Sequence, residues 1–256
     1  MRTMIPVLAV MLAFQPAMAF AQDDDWEFQQ DAGRKLTVAA VRYDDGKAII
    51  ARCQDGDLKL VVIGLPEMTG ASIYLEARRA DGRQDVQDWN HEEEAGREVM
   101  SSGVPARDIR FLRGGGTWLL NTRAGAERPL RATLDLPPQS ANLDRVLTAC
   151  QRSLQDDRDA LRRADPLYRN AAPSQSKRDE PRRPRAPISG VAEGSCIVRN
   201  LRFSDCRTDY ERPRGVGREG LAMQSGRRLE GEDRDTLEGT VAYIQTVTTR
   251  SLRPRF

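Results

Sequence analysis

Few side chains in this 256-residue chain could carry reactive chemistry, and its four cysteines are the most informative of them. Cys196 and Cys206 bracket a strand-like run, Ser195-Cys-Ile-Val-Arg-Asn-Leu-Arg-Phe-Ser-Asp-Cys206, while Cys53 and Cys150 lie in the differently composed N-terminal half. An even number of cysteines in two separated pairs reads as disulfide chemistry in an oxidising compartment. The expected pairing is Cys53 with Cys150 and Cys196 with Cys206. Zinc is the competing use, but neither pair has a short CxxC spacing, and the single histidine, His91, is far from both pairs in sequence. No metal site is expected.

Other groups that could react lack their partners. His91 sits in Trp89-Asn-His-Glu-Glu-Glu94 without a second histidine at helical spacing, which excludes HExxH chemistry and reads as a solvated acidic loop or helix start. Ser101-Ser102-Gly103 is not a nucleophile elbow, and Gly114-Gly115-Gly116 lacks the following Lys-Ser/Thr of a phosphate cradle, so it reads as a turn. Trp26, Trp89 and Trp118 read as core or rim rather than a ligand cage. The expectation is a protein that is not an enzyme, with no catalytic residue and no cofactor.

Charge is dense but balanced, 40 basic against 38 acidic residues, so no dedicated nucleic-acid binder is implied. Basic excess is local, at Arg182, Arg183 and Arg185 and at Arg250, Arg253 and Arg255. Residues 1–21 carry Arg2, an apolar stretch from Met4 to Phe14, Pro16 and Ala19-Phe20-Ala21, the pattern of a secretory signal peptide. The apolar run is about half the roughly 20 residues a spanning helix needs, so export is favoured over an uncleaved anchor.

LTVAAVRY, KAIIARC and DLKLVVIGL, separated by Asp-Gly turns, predict an antiparallel meander between Lys35 and Leu65. Ser72 to Ala77, Asp108 to Leu112, Thr117 to Asn121 and Leu130 to Leu136 read as further strands. Leu143, Val146, Leu147, Cys150, Leu154 and Leu161 recur at helical spacing after Ser140, a candidate N-cap. Residues 22–165 therefore read as a mostly-β sandwich or barrel closed by a C-terminal helix, and a Cys53–Cys150 bridge would staple it. Residues 166–187, rich in proline and arginine, read as a tether. After it come a hairpin turning near Asn200, a helix over Arg218–Leu229 and a strand over Gly239–Thr248, so the expected class is α+β.

The order strand, strand, helix, strand after a proline-rich basic linker resembles the C-terminal domain of TonB energy transducers. The resemblance rests on Gly194 and Cys196-Ile-Val through Leu201 and Cys206, on Tyr210-Glu-Arg-Pro-Arg-Gly-Val-Gly217 leading to Gly220-Leu-Ala-Met223, and on Gly239-Thr-Val-Ala-Tyr-Ile244. It covers under a quarter of the chain and implies a small ββαβ domain over residues 188–256. It also implies a periplasmic protein that binds an extended peptide of an outer-membrane receptor by strand addition. The implied binding strand has Val241, Tyr243, Gln245 and Val247 on one face and Thr240, Ala242, Ile244 and Thr246 on the other.

The chain departs from that family at its N-terminus. Met1 to Gln22 contains neither the histidine nor the serine of a motor-coupled anchor helix, so inner-membrane motor proteins are partners only if the N-terminus stays uncleaved. The alternative reading is a soluble periplasmic, envelope-associated structural or interaction protein without energy transduction. Exposed strand edges also allow a homodimer.

Overall fold

Alternation of apolar and charged residues runs through most of the N-terminal half, and in the computed structural model it becomes a single antiparallel sheet. The structure describes residues 25–66, 72–94, 96–123, 129–164, 169–170, 190–230 and 234–248. The predicted signal peptide, the arginines at 182, 183, 185, 250, 253 and 255, and the tether except Arg169 and Asn170 lie outside the described residues.

The sheet is built from β1 (Glu27–Asp31), β2 (Leu36–Arg42), β3 (Ala48–Gln54), β4 (Asp57–Ile63), β5 (Ser72–Arg79), β6 (Gln84–Glu94), β7 (Arg97–Ser102), β8 (Gly116–Thr122) and β9 (Arg131–Leu136). Its order is β1-β2-β3-β4-β7-β6-β5-β8-β9. Ile49, Ala51 and Cys53, then Leu58, Leu60 and Val62, then Leu75 and Ala77, alternate onto one face and join the same core as Trp26, Trp89 and Trp118. Burying each large apolar side chain contributes roughly 1.5–3 kcal/mol. The other face carries charge: Lys59 bonds Glu92 at 2.8 Å and Glu94 at 3.0 Å, and Arg52 bonds Glu94 at 2.9 Å. The sheet curls, because the Tyr43 hydroxyl after β2 donates to the Asp135 carbonyl of β9, at the far end of the strand order, at 2.8 Å.

Two helices fill the apolar face. From α1 (Pro105–Leu112) Ile109 and Leu112 enter the core, and from α2 (Ala141–Ala149) Leu143, Val146 and Leu147 do so. This corrects the expected α+β class of sandwich or barrel with a closing helix. The described residues are mostly β, 53% strand against 16% helix, and the large nine-stranded sheet has its core face occupied by α1 and α2 instead of by a second sheet. Asp108 to Leu112, read as strand, is the second half of α1: Pro105 at the first turn and the Ile109/Leu112 spacing set the helix, and five residues are too few to separate the two periods. The expected longer helix stops at Ala149, where Cys150 is bonded to Cys53 and Gln151 adopts a positive φ of 55°. Leu154 and Leu161 are not part of it. His91, read as loop or helix start, lies on β6.

The C-terminal unit comprises β10 (Arg169–Asn170), β11 (Gly190–Arg199), β12 (Arg202–Arg212), α3 (Val216–Gln224), β13 (Leu229–Glu230), α4 (Arg234–Leu237) and β14 (Val241–Thr248). Its sheet has the order β12-β11-β14, and the two-residue β10 and β13 pair separately. Cys196, Val198, Phe203, Leu221 and Ala242 form a second core, with Cys196 bonded to Cys206. Gly194 is required here, because a Cβ on it would stand 2.6 Å from Leu221 Cδ2 and 2.8 Å from the Arg207 carbonyl oxygen.

The Cys53–Cys150 bond joins residues 97 apart in sequence. Replacing both cysteines by alanine is expected to lower stability by about 4 kcal/mol, read as a reduced urea midpoint. An unchanged midpoint would show that packing of α2 alone constrains this loop.

Candidate functional site

Sequence alone gives little warning that arginine would be buried in quantity, yet Arg79, Arg107, Arg110, Arg152, Arg158 and Arg163 are each at most 9% exposed. Five of these six arginines, all but Arg79, lie where the N-terminal sheet meets the C-terminal one. Arg107, on α1, uses all five of its N–H donors: two bonds to the Asp85 carboxylate at 2.7 and 3.1 Å, and one each to the Arg158 carbonyl (3.0 Å), the Leu161 carbonyl (2.9 Å) and the Tyr243 hydroxyl (3.1 Å). Arg158 in turn donates to the Ser195 carbonyl at 2.5 Å and hydroxyl at 2.8 Å, and to the Asp205 carbonyl at 2.5 Å. The residues from Cys150 to Ala164 thus lie between the two sheets, held from both sides.

Around Arg107 the charges are tightly set. Burial pulls its guanidinium pKa down, but Asp85 and Tyr243 more than offset this and leave it raised. Burial raises the Tyr243 hydroxyl pKa against the pull of Arg107, and the guanidiniums of Arg107 and Arg163 both lie over the Tyr243 ring, at 5.5 and 5.7 Å from its centroid. Arg163 pairs with Asp88. Asp108 is fully buried, accepts from the Ser102 hydroxyl at 2.5 Å, and has no partner for Oδ1 among the described residues. Burial pushes its carboxyl up to about 7; Arg163 and Ser102 oppose the shift, and Asp85 and Asp88 add to it.

Beside this network a cleft of about 500 Å³ opens between the units. Its walls include Asp88 and Asn90 of β6, Gly103 and Val104 with the first residues of α1, Gln155, and Tyr243, Ile244 and Gln245 of β14. Gly103 is pressed onto the Asp88 carboxylate, leaving no room there for a side chain. No protein-family model, characterised protein or solved structure matches this chain.

The residues implied as the binding strand are spread between interior and cleft. Thr240, Val241 and Ala242 are buried, at 1%, 0% and 1% exposure. The Val241 N–H donates to the Arg162 carbonyl at 3.0 Å and its carbonyl accepts from the Ala164 N–H at 2.8 Å, so this end of the β14 edge is already paired. Tyr243 and Ile244 are half-buried, Gln245 is exposed, and Thr246 and Val247 pair with Ala192 and Val191. Backbone groups alternate along a strand, so past Val241 those facing away from β11 belong to Tyr243, Gln245 and Val247. Among the described residues those of Tyr243 and Gln245 have no hydrogen-bond partner. His91 stands apart from the cleft, with Nε2 3.6 Å from Glu98. Ser102 serves Asp108 and the Val104 N–H, and Gly114 and Gly115 lie in the turn from α1 to β8, which Gly116 opens. Among the described residues no group of acidic, histidine or cysteine side chains could hold a metal.

The arginines were the missed residues. The available signal was Arg152, Arg158, Arg162 and Arg163 interleaved with Asp156, Asp157 and Asp159, a charge alternation that reads as a solvated surface unless both partners are known to be buried.

Two outcomes follow from this network. Arg107→Met leaves the Asp85 carboxylate, 3% exposed, without its counter-charge and is expected to cost about 3–5 kcal/mol. Adding Asp85→Asn should restore part of that in chemical unfolding. Asp108 binds its proton more tightly folded than unfolded, so stability falls as pH rises from about 4 through about 7. Asp108→Asn should therefore be more stable than the parent at pH 8, by at most about 4 kcal/mol, and no more stable at pH 4. Parallel stability curves for the two proteins would contradict this assignment.

Proposed function

We propose that this protein is an exported binding module that accepts an extended peptide as an added strand on the outer edge of β14. The observation that carries the reading is the pair of outward backbone positions at Tyr243 and Gln245, unpartnered among the described residues and set in the wall of a cleft. Main-chain hydrogen bonds give such a site its affinity, and the pockets beside it select alternate side chains. The TonB resemblance supplies the kind of peptide, a segment of an outer-membrane receptor, and the compartment, the periplasm. Two disulfides are compatible with that compartment, and no helix of the described residues is long and apolar enough to cross a membrane.

A second reading keeps the peptide site and drops energy transduction. It is favoured by the docking of the C-terminal sheet: Arg107, Arg158 and Arg152 tie Tyr243, Ser195 and Glu193 to the N-terminal unit and its flanking segment, so the sheet is not simply displayed at the end of a tether.

Proline at position 245 removes only an outward N–H and no bond to β11, so the ladder should survive. Gln245→Pro is expected to weaken binding of receptor-derived peptides to the full chain by at least about tenfold while its thermal midpoint shifts little. Binding unchanged in this variant would sink strand addition at β14. Concentration-dependent dimerisation abolished by the same change, with no peptide bound, would assign the edge to a second copy of the chain.

A further inference from the structure

The charge arrangement of the cleft restricts what can lie in it. Its walls hold five arginines and five carboxylates, and every one of them already has an ion partner: Arg107 with Asp85, Arg110 with Asp156, Arg152 with Glu193, Arg163 with Asp88, and Arg207 with Asp156, Asp157 and Asp209. The side chains of Arg107, Arg110, Arg152 and Arg163 are only 4%, 7%, 3% and 6% exposed, so these charges belong to the wall, whereas Arg207 and Asp157, 37% and 81% exposed, form a solvated ion pair at the rim. A charged newcomer would have to lose water without gaining a counter-ion, or break a pair and strand its other member. Four neutral polar side chains of the lining remain uncommitted, the Thr208 hydroxyl and three carboxamides. Asn90, Gln155 and Gln245 make no side-chain hydrogen bond among the described residues, and all three are carboxamides, each offering a neutral donor and acceptor.

We infer that the occupant of this cleft is an extended peptide whose cleft-facing side chains are uncharged, read by the carboxamides of Asn90, Gln155 and Gln245 while its backbone pairs with Tyr243 and Gln245. The inference rests on the strand-addition reading and adds a selectivity to it. The acidic and basic groups of the cleft hold the two units together and leave recognition to neutral hydrogen bonds. Affinity is consequently insensitive to ionic strength, the reverse of what an electrostatic docking site shows.

Three end-blocked peptides of about eight residues separate the possibilities: one of Ser, Thr and Gln only, and two carrying Lys or Glu at alternate positions. Each is titrated into the full chain calorimetrically at about 20 and about 300 mM salt. The neutral peptide is expected to bind at least about tenfold more tightly than either charged one, with less than about a twofold change between the two salts. Asn90→Ala combined with Gln155→Ala is expected to weaken it at least about fivefold, with the change confined to the neutral peptide. A charged peptide that binds as well as the neutral one, or a neutral-peptide affinity that falls steeply with salt, overturns the selectivity while leaving strand addition standing. If none of the three binds, and their addition leaves the Tyr243 and Gln245 amide NMR signals unmoved, strand addition itself falls.

Discussion

A single guanidinium sets the relation between the two halves of this molecule. Arg107 reaches from α1 to a carboxylate on β6, to two carbonyls of the segment before the C-terminal unit, and to the hydroxyl of Tyr243 on β14. With all five donors engaged and the side chain 4% exposed, it leaves little freedom in how these four pieces of chain meet. A buried ion pair adds little net stability once desolvation is counted, but a misaligned one is costly, so the contribution of this network is to positional accuracy more than to depth of the energy well. Tyr243 is held by the same group and receives a second guanidinium over its ring.

That fixed position gives the β14 edge its character. One end is paired by Arg162 to Ala164, which run parallel to it at Val241, and this blunts a strand edge that would otherwise be an open template along its whole length. What remains is short and flanked by a wall. The same segment that pairs the edge also carries Arg163, whose contact with Asp88 places the β6 side of the cleft. Edge protection and cleft construction are therefore one piece of chain.

Much of the secondary structure could be read from the residues. The Asp-Gly turns and β-branched runs between Lys35 and Leu65 mark strands that the structure contains as β2, β3 and β4, because local turn chemistry and period-2 burial agree there. The architecture was less legible. Gln84 to Ser102 is dense in acidic and polar residues; β6 forms local hairpins with β5 and β7, but what joins this group to the rest of the sheet is the pairing of β7 with β4, which lies far back in the sequence. The helix at Pro105 begins too close to the following glycines for its period to stand out. Least legible was the cleft: Tyr243 and Gln245 were visible as strand residues, but Arg107, Asp85 and Asp108 gained their roles only when three separate elements met. Charged residues carry no sequence signature of burial, since the partner that permits it lies elsewhere in the chain.

The central place of β11 bears on how the C-terminal sheet would carry mechanical load. Eight residues, Gly190 to Ile197, pair with β14, and the opposite side of the same strand pairs with β12. Inter-strand hydrogen bonds run across the strands, so a pull directed along β14 loads the whole ladder together in shear, whereas a pull at right angles opens it one pair at a time. A tether attached along that edge would therefore slip only when many bonds fail at once, and the same tether peeled sideways would release at a small fraction of the force.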